Sequence, residues 1–212
     1  MSTPKKEFYE KQAATIIKNL EKRNMEGYYC PDAASAVQKA LSLMPENSIV
    51  SWGGSMTLSE IGLMDALQNA NYNLIDRMTA TTIEEKREIY SKTVLADYYL
   101  MSTNAITLDG QLVNIDGAGN RVACLIHGPE HVIILAGMNK VESDVESAMA
   151  RVRNIAAPPN TVRLNCKTPC AVTGVCGDCL SPETICCQEV ITRYSRIQGR
   201  IKVILIGEEY GY

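Results

Sequence analysis

The chain predicts an α/β domain: a mainly parallel sheet with helices on both faces, one inserted β-hairpin, and a cysteine-rich segment near the C-terminal end. Three observations carry this. Strand-sized apolar runs alternate with helix-length amphipathic ones, the pattern of a sheet covered on both sides. Asp109-Gly110 separates two β-type runs, and both turn positions tolerate positive φ, which marks a hairpin. Six of the eight cysteines fall between Cys166 and Cys187, interleaved with Pro169, Gly174, Gly177 and Pro182. That stretch holds too little apolar side chain to fold alone, and thiolates converging on a metal would supply the missing organisation.

The elements follow in order. Pro4–Arg23 reads as an amphipathic helix with Phe8, Ile16, Ile17 and Leu20 on one side. Tyr28–Cys30 is a short strand, and Asp32 caps a helix that Pro45 stops near Met44. Ser48–Trp52 is a buried-type strand running into Gly53-Gly54-Ser55. A helix over Thr57–Asn69 turns Ile61, Met64 and Leu67 inward. Tyr72–Ile75 is a strand, and Thr82–Ala96 a charged, mostly exposed helix. Tyr98–Ser102 leads into the hairpin of Ala105–Leu108 and Leu112–Ile115. Asn120–His127 is helical, His131–Ala136 a strand, and Val141–Asn154 a helix that Pro158-Pro159 ends. Cys187–Arg196 fits neither template, and Ile201–Ile206 is the last strand.

At 212 residues the chain is long enough for one sizeable core, so residues 1–212 are expected to form a single domain. Its parts are an α/β core over 10–157, a cysteine-rich metal-binding segment over 158–190 and a closing strand over 191–212. The net charge of −3 gives no electrostatic case for nucleic acid or an anionic membrane. The longest apolar runs, Val132–Gly137 and Val203–Gly207, are far short of a bilayer span. Met1–Lys11 is charged and lacks the apolar region of a signal peptide, so a cytoplasmic protein is expected. In that compartment clustered cysteines favour metal or redox chemistry over disulfides.

In a parallel sheet, ligands bind outside the carboxyl ends of strands, and two loops occupy that location. The first, Ser51–Thr57, joins a strand to a helix through two glycines, with Gly53 and Gly54 admitting a ligand to the backbone. Ser55 and Thr57 add hydroxyl donors, a seat for a phosphate or carboxylate. The plainer reading is a tight turn with Ser55 or Thr57 as helix cap. The second loop runs from Thr103 to Arg121. Asn104, Asn114, Asp116, Gly117 and Asn120 crowd it; Asp116 and Asn120 would hold hydroxyls, and Arg121 a carboxylate. Turns and a cap account for Asp109-Gly110 but less well for the polar groups around Asp116. Glu60, one turn into the helix after the glycines, is a weak candidate for general base or nucleophile, as is Asp116, and is more simply a carboxylate of the capping region. His127 and His131 flank Gly128-Pro129, which forbids the helix that would pair them on a metal, so they read as turn or surface residues. Cys30 and Cys124 read as buried core.

These pieces, in this order, resemble the LUD domain family of lactate utilisation proteins. The matching residues are Gly53-Gly54-Ser55-Met56-Thr57-Leu58 with Glu60 and Gly62, then Thr103–Thr107, Asp109-Gly110, Asn114 and Asp116-Gly117. Gly119-Asn120-Arg121-Val122 continues the match. Thr168-Pro169-Cys170, Thr173-Gly174, Cys176, Asp178-Cys179, Ser181-Pro182 and Ile185-Cys186 follow, and Glu208 and Gly211 complete it. The likeness spans about residues 10–212. It implies a fold of the NagB/RpiA/CoA-transferase-like superfamily, with a crevice for a small anionic metabolite, and a setting in lactate or 2-hydroxy-acid oxidation beside iron–sulfur partner proteins.

The family-matching cysteines are Cys170, Cys176, Cys179 and Cys186, with 5, 2 and 6 residues between them. Cys166 and Cys187 lie outside the motif and are the alternates. A zinc site commonly takes two short-gap pairs, and one is present here; iron–sulfur ligation accepts irregular spacing. A 4Fe–4S cluster is therefore the first expectation and zinc the second, with free or disulfide-linked thiols behind. Three functions compete: an iron–sulfur redox component that needs a partner protein, a CoA-transferase-like or isomerase-like enzyme with structural zinc, and a non-catalytic ligand-binding or scaffold subunit. A homo-oligomer is left open.

Overall fold

The computed structural model describes residues 3–212; Met1 and Ser2, the start of the segment read for a leader, lie outside them. Six parallel strands form the central sheet: β1 (Glu26–Cys30), β2 (Ile49–Trp52), β3 (Asn73–Ile75), β4 (Tyr98–Met101), β7 (His131–Gly137) and β10 (Ile201–Ile206). Their order across the sheet is β1-β10-β7-β4-β2-β3. A four-stranded sheet, in the order β8 (Val141–Glu142), β5 (Ala105–Thr107), β6 (Leu112–Asp116) and β9 (Gln188–Thr192), is built around the hairpin of β5 and β6.

The innermost strands β4, β7 and β10 are buried along nearly their whole length because both faces are covered. In β7, Val132 and Ile134 join the core under α1 (Pro4–Lys22), while Ile133 and Leu135 join the opposite core with α2 (Ala33–Ser42). In β10, Val203 and Leu205 alternate with Ile204 and Ile206 in the same way. The period of two thus divides one apolar run between two cores. Cys30 and Cys124 are buried in these cores, as their surroundings predict. Among the described residues no helix is long and apolar enough to cross a membrane.

The chain departs from its predicted elements at four places and resolves a segment left ambiguous. Phe8 is 53% exposed, and α1 instead buries Ala13, Ile16 and Leu20. The helix predicted over Thr57–Asn69 is two short ones, α3 (Met56–Glu60) and α4 (Leu63–Gln68), parted where Gly62 takes φ 76°; that left-handed conformation suits glycine. Val141–Glu142 is not helical but forms β8, paired with Ile106 and Thr107, and Asp144 caps the true helix α7 (Val145–Arg151). Pro158-Pro159 does not end that helix. A π turn over Val152–Ala156 advances the register, and the prolines fall in the first turn of α8 (Ala157–Arg163), where missing N–H groups cost least. The ambiguous Cys187–Arg196 contains β9 (Gln188–Thr192), antiparallel to β6.

Candidate functional site

The glycine loop and the hairpin loop meet in one crevice of about 290 Å³ at the carboxyl ends of β2 and β4. Gly54, Ser55 and Thr57 line it from one side; Thr103, Asn104, Asp116, Gly117, Asn120 and Arg121 line it from the other. Its charged lining among the described residues is Arg77, Arg121, Lys140 and Arg163 against Asp116. Three guanidinium groups, with Arg121 paired to Asp116 and Arg77 and Arg163 besides, favour an anionic occupant.

Arg121, on α6 (Asn120–Ile126), organises the hairpin side. Its Nε donates to Asp116 Oδ2 (3.1 Å), Nη1 to Asn114 Oδ1 (2.6 Å) and the Ser102 carbonyl (3.3 Å), and Nη2 to Asn104 Oδ1 (3.0 Å) and the Ile115 carbonyl (2.7 Å). These take all five guanidinium donors. Burial pulls its pKa down, and Asp116 opposes that. Asp116 Oδ1 accepts the Gly119 N–H (2.8 Å). Asn104 is locked as well, its Oδ1 accepting the Ile115 N–H (3.0 Å) and its carbonyl the Arg151 Nη1 (2.6 Å). The polar density that turns alone did not explain is therefore one network rigidifying the crevice wall.

Some predicted residues stand behind the wall. Asn114 is fully buried and Gly53 packs on Tyr99 and Arg121, where a Cβ would lie 2.9 Å from the Tyr99 hydroxyl. Ser55 caps α3, accepting the Leu58 N–H (3.4 Å). Glu60 ends α3 and accepts the Gly211 N–H (2.6 Å). Trp52 lines an adjoining cavity of about 510 Å³ with Tyr90 and Tyr99, which shares Arg77 and Asn120 with the crevice. His131 opens β7 and lies against the Tyr98 ring, 4.9 Å between centroids.

Lys140, Arg77 and Arg163 escaped the sequence reading. Arg77 follows β3 and Lys140 follows β7, so the strand-end rule, applied to every strand, finds both. Arg163 was hidden by ending the helix at the prolines. Lys140 is buried, with its Nζ donating to Thr57 Oγ1 (2.9 Å) and Ser102 Oγ (3.1 Å). Burial foremost, then Arg151 and Arg121, bring its pKa down to about 7, while Glu60 pulls the other way.

The cysteine segment forms another wall of the crevice. Ile185 lines the crevice, and the Cys187 N–H donates to the Asp116 carbonyl (3.1 Å). Cys186 sits at the edge of the small core of Ile115, Val152 and Ala156. Burial foremost pushes its thiol up, with smaller contributions in the same direction from Cys176, Cys170 and Cys179. Cys170 is buried, its sulfur 3.4 Å from the hydroxyls of Thr161 and Thr168. Hydrogen bonds from Ser181 pull the Cys179 thiol down. Burial first, then Glu183 and Cys170, push the Cys166 thiol up. Cys187 is exposed and its thiol donates to the Thr184 carbonyl (3.5 Å). Among the described residues no three His, Cys, Asp or Glu side chains stand close enough together to hold a metal ion. The donor type at Cys170, Cys176, Cys179 and Cys186, thiol sulfur, is the kind a thiolate-bound group takes.

Gly117 is the joint between the two walls. A Cβ there would lie 3.1 Å from the Ile185 Cα, backbone that cannot rotate away. Gly117→Val is expected to displace the Ile185–Cys187 segment of the wall and to lower the thermal unfolding temperature; a melting curve against the unaltered protein checks it.

Fold and site define a class: a doubly covered α/β domain whose strand-end crevice is walled by a four-thiol segment. The chain belongs to the LUD domain family, whose model matches residues 13–206. Membership supports a lactate-utilisation-type protein. No curated protein matches the chain. Among solved structures, it is similar to a DUF162 family protein from Deinococcus radiodurans at 9% identity and a TM-score of 0.55, over 93% of this chain and 98% of that one. A ribose 5-phosphate isomerase A from Methanocaldococcus jannaschii matches at 12% identity and a TM-score of 0.34, over 53% of this chain and 55% of that one.

Proposed function

We propose that this LUD-domain protein is an iron–sulfur-binding component of lactate or 2-hydroxy-acid utilisation, working in the cytoplasm, with a crevice for a small anionic metabolite. One observation carries the reading: the crevice and the four-thiol segment share a wall. Ile185 touches the cavity immediately before Cys186, and Cys187 is bonded to the backbone of Asp116. A group held there would lie beside the bound metabolite. Cys170, Cys176, Cys179 and Cys186 would hold a 4Fe–4S cluster, which supplies one-electron chemistry when bound. Arg77 and Arg163 would receive the carboxylate or phosphate of the ligand, since Arg121 is committed to the hairpin. The sequence carries no flavin or nicotinamide motif, so electrons would pass to or from an iron–sulfur partner protein.

Metal analysis with a UV–visible spectrum on protein purified without oxygen tests the reading. The expected result is iron and sulfide, with broad absorption bleached by dithionite. Stoichiometric zinc and a colourless spectrum would overturn the redox role and leave the crevice to account for function alone, as an enzyme of the transferase or isomerase kind.

A further inference from the structure

Lys140 is the group in the crevice that the redox reading does not use. It ends the short turn Met138–Lys140 after β7 and is 4% exposed. Among the described residues it has no carboxylate at ion-pair distance; its partners are the hydroxyls of Thr57 and Ser102. A buried ammonium without a counter-ion is costly, and the usual relief is loss of the proton. The charged groups that face it are Arg151 on α7, Arg121 on α6 and Glu60 on α3. Two of the three oppose the charged form. With its pKa brought to about 7, about half of the Lys140 amines are neutral at pH 7, against about one in three thousand at the ordinary value of 10.5. A neutral lysine in a cavity is a nucleophile toward carbonyl carbon.

The walls narrow the ligand further. The crevice lining offers the Arg77 and Arg163 guanidinium groups for a carboxylate and, with them, the buried Lys140 side chain. A molecule that answers both carries a carboxylate and an electrophilic carbon. We propose that the crevice takes a 2-oxo acid and that the Lys140 amine binds it reversibly as an imine. The proposal rests on the reading of the crevice as a small-anion site. The amine lone pair adds to the carbonyl carbon. The carbinolamine then expels its oxygen as water, which carries off both amine hydrogens, and C=N replaces C=O. No oxidant or reductant is consumed. Ser102 and Thr57, already within hydrogen-bond distance of Nζ, are placed to relay the protons. A 2-hydroxy acid, lacking the carbonyl, would bind without bonding, so Lys140 would distinguish the oxidised from the reduced member of such a pair.

The test incubates the full chain with pyruvate and sodium cyanoborohydride, then maps adducts by mass spectrometry, with calorimetry of pyruvate and lactate in parallel. The expected result is a reduced adduct on Lys140 while the other lysines stay unmodified. It should be lost in Lys140→Arg and Lys140→Met, and its yield should rise with pH through about 7, following the neutral amine. Since either variant could fail to fold, the peptide map of the unaltered protein decides alone. Pyruvate binding without an adduct on Lys140 overturns the imine and leaves the crevice reading standing. Neither binding nor trapping overturns both.

Discussion

Arg121→Ala is expected to lower stability by about 3–5 kcal/mol, the cost of breaking a buried ion pair from one side. Arg121 and Asp116 have side-chain exposures of 13% and 9%, so solvent would replace the lost donors poorly. The substitution leaves Asp116 Oδ2 without its arginine and takes one donor from each of the Asn114 and Asn104 amide oxygens and the Ser102 and Ile115 carbonyls. For a chain of this length that corresponds to a fall in Tm of roughly 10 °C. Arg121→Lys is expected to recover little, because an ammonium cannot reproduce the planar five-donor fork. The check is urea denaturation of the single variants, Asp116→Ala and the double variant. The double is expected to cost less than the sum, since each single change leaves the other partner unpaired. Calorimetry with a small carboxylate should show binding lost in Arg121→Ala, because the wall it braces is the ligand's wall. Strict additivity in the cycle would show that the guanidinium and the carboxylate do not act as a unit.

Arg121 also shows how sequence and structure divide the information. Its place in the site was legible: a strand end, a hairpin turn and a run of small polar residues led to Asp116, Asn120 and Arg121. Its role was not, because five donors finding five acceptors is a property of the folded hairpin. The strands of the central sheet were legible to within a residue or two, since each is a short apolar run bounded by turn residues. What failed were places where a local rule was overruled. Pro158-Pro159 stops an α-helix, but a π turn before it changes which positions need an N–H. Val141 starts a helix-like pattern, yet pairs with the hairpin edge once that hairpin is built. Lys140 escaped the sequence reading because a single charge after an apolar strand carries no period; its burial follows from packing against Thr57 and Ser102.

Under the proposed iron–sulfur reading, Cys176→Ser with Cys179→Ser is expected to yield metal-free protein, because this short-gap pair supplies half of the proposed donor set. The adjacent pair sharpens the experiment. Sequence left open which of Cys186 and Cys187 belongs to the set. In the fold the Cys186 thiol is set against the small core and feels Cys170, Cys176 and Cys179, whereas Cys187 is exposed with its thiol turned to the Thr184 carbonyl. Cys186→Ser is therefore expected to lose the metal and Cys187→Ser to keep it, with metal analysis on anaerobic protein as the measurement. Loss of metal also removes the binding free energy that organises a segment poor in apolar side chain. Proteolysis of the double variant should begin between Cys170 and Cys186 while the α/β core resists. Leu180 and Val172, 98% and 85% exposed, belong to that segment, and no apolar contact of theirs would hold it once the metal is gone. Metal retained in Cys186→Ser but lost in Cys187→Ser would move the site by one residue, onto the strand that is bonded directly to Asp116.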